Sequence, residues 1–421
     1  MDAAAAARAA LERVFRLEWG RLLGGLLRRG GDLDQAEEAL QEAAAAALEH
    51  WPREGLPQNP AAWLATAAAR RQIDRVRRLK VRADKAPLLA LPPPSPPEEK
   101  EPNRLEDDEL RLLFLCCHPA LSAEAQVALT LSAVGGLSVE AIAAAFLAQP
   151  AAIYQRLGRA KRKIAAAAIP LVMPGDRQLE ERLGQVAQAV YLIFNEGYSA
   201  SSGEQAMKAD LCAEAIYLAR RLARTFPADP ELVGLLALML LHDARRPARI
   251  DASGGIVPLE EQDRSRWLRP QIAEGLELTR RALLLRRVGP FQVQAAIAAL
   301  HAEAPTAAAT DWHQIALLYA VLARLAPSPV VRLNQAAAVA MAEGPERGLE
   351  LLEGLDQELP TYHLLPAARA DLHRRAGRHR EAADAYRQAL ALALNDADRR
   401  FLTRRLSEVV LGESSGGIMP P

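Results

Sequence analysis

The sequence is poor in cysteine and in aromatic residues. It has three cysteines among 421 residues, and aromatic side chains make up 5% of the chain. Three cysteines cannot build the disulfide framework of a small secreted domain, so the composition favours a reducing compartment, and we expect the cytoplasm. Strand-favouring Val, Ile and Thr are scarce beside Ala and Leu. This bias predicts an all-α fold and excludes a large sheet.

A long hydrophobic run is also missing. The longest wholly apolar stretch, Leu232 to Leu241, is half the length that a bilayer-spanning helix needs. At the N-terminus, Asp2, Arg8 and Glu12 interrupt any signal-peptide core. We therefore expect a soluble protein with no membrane partner and no recognisable export signal.

The chain has no net charge, because 52 Lys and Arg residues balance 52 Asp and Glu residues. No global basic field would hold it on nucleic acid, so any such contact must be local. Two basic runs exist, Arg70 to Lys85 and Arg156 to Lys163. Between them, Pro92 to Pro97 precedes the acidic stretch Glu98 to Glu109, which predicts a stiff acidic linker. A charge run by itself is as well explained by a solvated helix face.

Residues 8–80 have the pattern of three helices in one small domain. Asp32 is a good N-cap for the second helix, whose apolar residues recur at helical spacing. The third helix is predicted to run from about Ala61 to Arg78, after a loop rich in proline.

Residues 105–169 have the helix-start and helix-end signals of a helix–turn–helix. Ser122 and Ser138 are candidate N-caps, Gly135 and Gly136 end the first helix, and Pro150 suits the first turn of the last one. On that last helix one face is apolar and the other cationic. In this docking geometry the residues nearest base edges are Ala151, Ala152, Gln155 and Arg156, with Arg159 and Arg162 nearer phosphates. Helix–turn–helix spacing also occurs in domains that bind no DNA.

Residues 180–412 consist of amphipathic helix pairs with short loops. Near the end, small and aromatic residues have the spacing of a tetratricopeptide repeat: Ala370, Gly377, Ala382, Tyr386 and Ala389. One repeat cannot bury its own face, so we expect a degenerate helical array. The stretch Arg249 to Leu259 is expected to be a loop or a small inserted hairpin.

No catalytic, cofactor or metal motif stands out, so we expect neither an enzyme nor a bound cofactor. Cys116, Cys117 and His118 invite a metal site, but adjacent cysteines point about 100° apart on a helix, which favours a structural role. A second polar set is more simply explained by pairing between helices or a solvated face than by acid–base chemistry: Glu196, Asp210, Glu214, His242 and Asp243. A third set is expected to be core or interdomain contacts, with a ligand pocket as the alternative: Tyr191, Phe194 and Tyr198.

Taken together, these segments resemble bacterial RNA polymerase sigma factors of the extracytoplasmic-function group. Residues 32–41, with Trp63-Leu64 and Ile73 to Arg78, resemble sigma region 2. The helix–turn–helix, including Gln155 to Ile164, resembles region 4, with no room for region 3 between them. Three further motifs resemble the subgroup with a fused C-terminal helical extension: Leu113 to Pro119, Asn195 to Tyr198 and Leu241 to Arg246.

The resemblance implies a domain organisation. It places region 2 at 8–82, the Pro-rich acidic linker at 83–104 and region 4 at 105–170. A helical extension at 178–300, tetratricopeptide-like repeats at 301–412 and a disordered tail at 413–421 follow.

The resemblance also implies roles for individual residues. The beta-prime clamp of core RNA polymerase would meet Asp34, Glu37, Glu38 and Gln41, and the beta flap would meet region 4. The melted minus-ten strand would contact Asn59, Trp63, Arg70, Arg71, Arg75, Arg77 and Arg78. The minus-thirty-five duplex would contact Ala151, Ala152, Gln155, Arg156, Arg159, Arg162 and Lys163.

The predicted function is therefore a sigma factor that directs promoter-specific transcription initiation. Its C-terminal repeats would control activity by docking on the N-terminal domains or by binding a partner protein. The alternative is a one-component helix–turn–helix regulator, or a repeat scaffold, that binds DNA without polymerase. The two differ in whether duplex DNA is bound tightly in the absence of core enzyme.

Overall fold

The computed structural model describes residues 3–83, 102–146, 148–198, 208–251 and 254–416. Within these ranges the chain is helical, and the only extended pairing is one antiparallel bridge between Ile250 and Ile256. The all-α prediction is therefore confirmed. Most of the predicted linker at 83–104 lies outside the described residues. Across the described part of the chain, no helix combines the length and apolarity needed to cross a bilayer.

The chain divides into two compact units. The N-terminal unit contains residues up to 144 and 148–189, and the C-terminal unit contains 145–147 and the residues from 190 onward. The N-terminal unit has the helices α1 (Ala3–Arg28), α2 (Leu33–Glu54), α3 (Pro60–Ala83), α4 (Pro102–Cys116), α5 (Ala123–Ala133), α6 (Val139–Phe146) and α7 (Pro150–Ala166). Helix α8 (Asp176–Tyr198) contributes residues to both units.

Local sequence signals set the ends of the N-terminal helices. Asp32 caps α2 by accepting a hydrogen bond from the Gln35 backbone N–H at 2.8 Å. Ser122 caps α5, and the Ser138 hydroxyl accepts from the Ala141 N–H at 3.1 Å ahead of α6. Gly136 adopts a φ of +65°, a left-handed conformation that favours glycine and ends the helix. These helix ends match the sequence-based prediction.

Helix α1 joins the two halves of the N-terminal unit through small residues. A side-chain carbon on Gly20 would lie 2.7 Å from the Val134 carbonyl oxygen, and one on Gly24 would lie 2.5 Å from the Asp108 carbonyl oxygen. Only glycine permits this approach. Trp19 packs in the same way against Gly136. The segments resembling regions 2 and 4 therefore form one compact body.

A buried carboxylate supports the same contact. The side chain of Asp108 is 1% exposed, and its oxygens accept from Arg28 at 2.9 Å and from Arg111 at 2.8 Å. Because a buried carboxylate is stable only when it is paired, this site fixes α4 against α1.

The C-terminal unit contains the remaining helices. They are α9 (Ala209–Thr225), α10 (Pro230–Asp243), α11 (Arg246–Arg249), α12 (Arg269–Leu284), α13 (Pro290–Glu303), α14 (Trp312–Leu325), α15 (Pro329–Glu343), α16 (Pro345–Leu351), α17 (Leu364–Arg375), α18 (His379–Leu392) and α19 (Asp396–Gly416). Helix α10, apolar on all sides, lies at the centre against α9, α12 and α13.

The repeat-like segment forms the helix pair α17 and α18. Ala370, Ala382 and Ala389 are fully buried, and Gly377 has a φ of +73° in the turn between the helices. This geometry fits one repeat, and the wider array stays a prediction. Helix α19 extends to Gly416, so residues 413–416 of the predicted tail are helical, and 417–421 lie outside the described residues.

Candidate polymerase and nucleic-acid interface

The acidic side chains of α2 lie on its outer face. Asp34, Glu38 and Gln41 are exposed, while Glu37 is largely covered. The opposite face of the helix is buried through Ala36, Leu40 and Ala43, among others. The helix therefore presents to solvent three of the four residues predicted to meet polymerase.

A lysine from α7 covers part of this acidic face. Lys161 Nζ lies 2.9 Å from Asp34 Oδ1 and 2.6 Å from Glu37 Oε2. Its side chain is 12% exposed and that of Glu37 is 14% exposed. Burial alone lowers the pKa of Lys161, but the two carboxylates outweigh burial and hold its pKa above the usual value. Burial raises the pKa of Glu37, and Lys161 opposes that rise.

This ion pair joins two surfaces that the sequence assigned to different tasks. Asp34 and Glu37 belong to the predicted polymerase face, and Lys161 belongs to the predicted DNA helix. Lys161 stood in the basic run, but nothing in the sequence indicated that it meets residues more than a hundred positions away. In this conformation two of the four predicted polymerase contacts are occupied by the chain itself.

Helix α7 presents the predicted duplex-binding residues. Its apolar face is buried through Ile153, Leu157, Ala160 and Ile164, as the spacing predicted. The opposite side carries the predicted duplex contacts, of which all but the half-buried Arg156 are exposed: Ala151, Ala152, Gln155, Arg156, Arg159, Arg162 and Lys163. Without any acid on its outer face, the helix has the charge pattern of a groove-binding element.

Tyr154 is a surface residue of α7 that the sequence reasoning missed. It is 72% exposed, more than any large hydrophobic side chain except Leu394 among the described residues. It lies beside Gln155 in the first turns of the helix. Its place next to Gln155, outside the spacing of the apolar face, was the available signal, since an aromatic ring there has no core to fill.

The predicted minus-ten residues are only partly brought together. Asn59 caps α3 by accepting from the Ala62 N–H at 3.0 Å, and Trp63 packs edge-on against the buried Trp51 with ring centroids 5.6 Å apart. Arg70 is exposed, while Arg71 lies 3.4 Å from Glu42. The side chains of three other predicted contacts lie outside the described residues: Arg75, Arg77 and Arg78.

The cysteines of the candidate metal motif are buried in the N-terminal unit. Cys116 and Cys117 are fully covered, and the Cys117 thiol lies 3.5 Å from the Thr130 hydroxyl. Burial raises the pKa of both thiols, to about 11 for Cys117. The described residues contain no group of three ligating side chains placed to hold a metal. Cys116 and Cys117 therefore act here as buried packing residues.

The polar set of the C-terminal unit does not converge on one point. Glu196 pairs with Lys208 at 2.8 Å, Asp210 is exposed, and His242 lies edge-on against Tyr198 with ring centroids 5.0 Å apart. Gly197 allows α9 to approach closely, because an added side-chain carbon would lie 2.7 Å from the Cys212 backbone nitrogen. These contacts explain the Asn195 to Tyr198 motif as helix packing.

An all-α chain whose N-terminal unit combines an acidic helix with a basic helix–turn–helix has the architecture of a helical transcription initiation factor. Comparison with known proteins agrees. Residues 16–82 match the family Sigma-70 region 2, and residues 111–164 match Sigma-70, region 4. Residues 182–283 match a family of unknown function, DUF6596.

A relative covers nearly the whole chain. A protein of Rhizobium meliloti (strain 1021), described as uncharacterized, is 48% identical over 392 residues, which are 92% of this chain and 93% of that protein. The chain belongs to the sigma-70 family, in the extracytoplasmic-function type with a C-terminal extension. The resemblance inferred from the sequence is confirmed.

Proposed function

We propose that the protein binds core RNA polymerase and directs transcription initiation at a restricted set of promoters. The observation that carries this proposal is the presence of both sigma regions in one compact unit, with an acidic outer face on α2 and a basic outer face on α7. The acidic face would dock on the beta-prime clamp through Asp34, Glu37, Glu38 and Gln41. Region 4 would dock on the beta flap.

DNA recognition would be divided between two helices. Helix α7 would enter the major groove of the minus-thirty-five element, because a helix is the element that reads duplex base edges. The minus-ten strand, once melted, would lie along α3, since a run of basic residues in its sequence and the ring of Trp63 suit single-stranded bases. Two weak contacts held together by polymerase gain from effective concentration, so neither helix need bind strongly alone.

The Lys161 ion pair gives this proposal a conformational step. Asp34 and Glu37 cannot meet polymerase while Lys161 holds them. We expect the ion pair to break and the two regions to separate when core enzyme binds. Free chain would then bind promoter DNA poorly.

Run-off transcription with purified core enzyme and a cognate promoter tests the proposal. We expect stimulation over core alone, and its absence would overturn the sigma-factor role. The exposed acid Glu38→Lys should reduce both transcription and crosslinking to core. Glu49→Lys, on the same helix but beyond the predicted contacts, is the matched control and should leave both unchanged.

The rival role gives a different result without polymerase. A one-component regulator would shift duplex DNA by itself, with a logarithmic salt slope of about −4 to −5 for about five phosphate contacts. A sigma factor should require core. Under the proposal, Arg159→Ala on α7 weakens the promoter complex with polymerase, whereas Arg177→Ala, exposed on α8, does not.

The C-terminal unit is proposed to control this activity. Support comes from its fusion to the two sigma regions and from its size, which exceeds what promoter binding needs. A chain ending at Gly175 should differ from full-length protein in run-off transcription once circular dichroism has shown that its helices are retained. Equal activity of the two chains would remove the regulatory role.

A further inference from the structure

Two arginines of the C-terminal unit enclose Tyr198. Arg245 Nη2 donates to the Tyr198 hydroxyl at 2.7 Å and lies 2.9 Å from His242 Nδ1. The Arg249 guanidinium lies over the Tyr198 ring, 3.6 Å from its centroid, and Nη1 donates to the Tyr198 carbonyl oxygen. Both side chains are thus held in place by one residue at the end of α8.

Neither arginine forms an ion pair with an acid in the part of the chain that the structure describes. All the contacts just given are to neutral groups, and no carboxylate among the described residues forms an ion pair with Arg245 or Arg249. The neighbouring Arg246, by contrast, lies 3.3 Å from Asp243. Arg245 and Arg249 are also not solvated surface groups, because both are half-buried inside the unit. Enclosed charges are normally paired, so two unpaired guanidinium groups side by side mark a place where a negative charge is expected.

The surrounding groups add positive charge and neutral donors, with little negative charge. Burial and then Arg245 lower the pKa of His242 far below its usual value, and they lower that of His301 to about 4. Both imidazoles are therefore neutral at pH 7. Arg264 is close enough to lower the pKa of His301 as well, and it too has no carboxylate partner in the described part of the chain. Asp398 is close enough to Arg249 to favour its charged form, but it lies 3.1 Å from His363 and accepts from Asn395.

Each guanidinium keeps donors for a ligand. Arg245 uses Nη2 and Arg249 uses Nη1 in the contacts given above, which leaves the other nitrogens of each planar group without a hydrogen bond among the described residues. The two planar guanidinium groups, which both contact Tyr198, suit an oxyanion as ligand. Carboxylate and phosphate groups can accept two parallel hydrogen bonds from an arginine.

The cavity for the rest of a ligand is not lined by Arg245 or Arg249, but it shares Arg264 and His301 with the groups whose pKa Arg245 lowers. A cavity of about 600 Å³ is lined by Arg264 and His301 together with the apolar side chains of Trp312, Met341 and Leu372. That volume is within the range of small-molecule sites. Among the described residues that line it, the carboxylates are Glu260 and Asp371, and both are paired with Arg375.

We propose that the C-terminal unit binds a small organic oxyanion, a carboxylate or a phosphate ester, whose charge lies between Arg245 and Arg249 and whose apolar part extends toward the Trp312 cavity. The site is independent of the promoter-binding role and would exist even if the sigma-factor proposal failed.

Binding to the full-length protein tests the proposal. The probes are benzoate and phenyl phosphate, measured by titration calorimetry at pH 7 and at ionic strength held constant with sodium chloride, with neutral benzamide as the uncharged match for benzoate. We expect saturable binding of at least one of the two anions at one site per chain. Preference for benzoate or for phenyl phosphate identifies which oxyanion the site accepts. The absence of saturable binding by both, or equal binding of benzamide, would overturn the proposal.

Variants locate the site. Arg245→Gln and Arg249→Gln should each weaken binding by about ten- to hundredfold, the value of a hydrogen bond to a charged group. Arg245→Lys keeps the charge and loses the planar guanidinium group, so it should retain part of the affinity.

Arg280→Gln is the matched control, because this exposed arginine pairs with Glu277 and lies outside the cluster. Unaltered affinity in Arg245→Gln, or an equal loss in Arg280→Gln, would contradict the assignment. Should Arg249→Gln unfold, shown by lost helix signal, the two Arg245 variants decide alone.

Discussion

The two units treat an enclosed positive charge in opposite ways. In the N-terminal unit Lys161 is 12% exposed and meets two carboxylates of the same chain. In the C-terminal unit Arg245 and Arg249 are enclosed around Tyr198 and meet none among the described residues. A charge that the chain neutralises itself holds a conformation, and a charge that it leaves unpaired is available to a ligand. Under the proposals above, the Lys161 ion pair must break when polymerase binds. The unpaired charge of Arg245 and Arg249 is balanced when an anionic ligand binds.

Removing the most deeply buried paired acid should give the largest effect. In Asp108→Asn, Arg28 and Arg111 lose a carboxylate that is 1% exposed, which should lower the free energy of unfolding of the N-terminal unit by about 3–5 kcal/mol. Denaturant unfolding followed by circular dichroism measures the change. Glu124→Gln, an exposed acid on α5, should leave stability almost unaltered, and a similar loss in both would refute the role of Asp108.

The uncompensated positive charge of the C-terminal unit should make it sensitive to acid. The folded pKa of His301, about 4, lies below the ordinary histidine value of 6.5, because burial and then Arg245 and Arg264 disfavour the charged ring. The native state therefore binds fewer protons than the unfolded state, and stability falls as the pH decreases from 6.5 toward 4. His301 alone should contribute a loss of about 2 kcal/mol between pH 6.5 and 5.

Thermal unfolding at several pH values checks this expectation. His301→Asn should lose less stability on acidification than the natural chain, although His242 keeps a share of the effect. His313→Asn changes an exposed histidine and should leave the pH dependence as it was. A flat pH profile for the natural chain below 6.5 would contradict the argument.

Breaking the internal ion pair should have a moderate cost. Lys161→Ala leaves Glu37 covered and without its cation, so the N-terminal unit should lose about 1–2 kcal/mol of stability. Lys163→Ala removes an exposed lysine from the same helix and should cost little. Denaturant midpoints compare the two variants, and equal midpoints would show that Lys161 is not held by the acids of α2.

The exposed half of the same ion pair should matter least. Asp34 is 69% exposed, so Asp34→Asn should change stability by about 0.2–1 kcal/mol, as for other solvent-exposed pairs. A double-mutant cycle with Lys161→Ala measures the coupling. Because Glu37 is more buried than Asp34, its coupling energy with Lys161 should be the larger of the two. A larger coupling energy for Asp34 with Lys161 would contradict this order.

The sequence predicted local structure better than contacts between distant segments. The caps Asp32, Ser122 and Ser138 and the apolar face of α7 were readable because their signals lie within a few residues. The predicted surface residues of α2 and α7 are on outer faces for the same reason. The Lys161 ion pair and the Gly24 contact with α4 were not readable, because each depends on packing across more than eighty residues. Tyr198 was singled out as a core or pocket residue, but its two arginines come from the turn before α11 and from α11 itself, which periodicity does not relate to it.

The proposed separation of α2 from α7 on polymerase binding is tested by the distance between the two helices in free and polymerase-bound protein. The native cysteines, Cys116, Cys117 and Cys212, are buried, so fluorophores can be attached at the exposed positions Arg53→Cys on α2 and Ala165→Cys on α7. We expect efficient energy transfer in the free chain and a marked loss of transfer when core polymerase is added, with Lys161→Ala lowering transfer partway. Unchanged transfer in a chain that demonstrably binds polymerase would contradict this expectation.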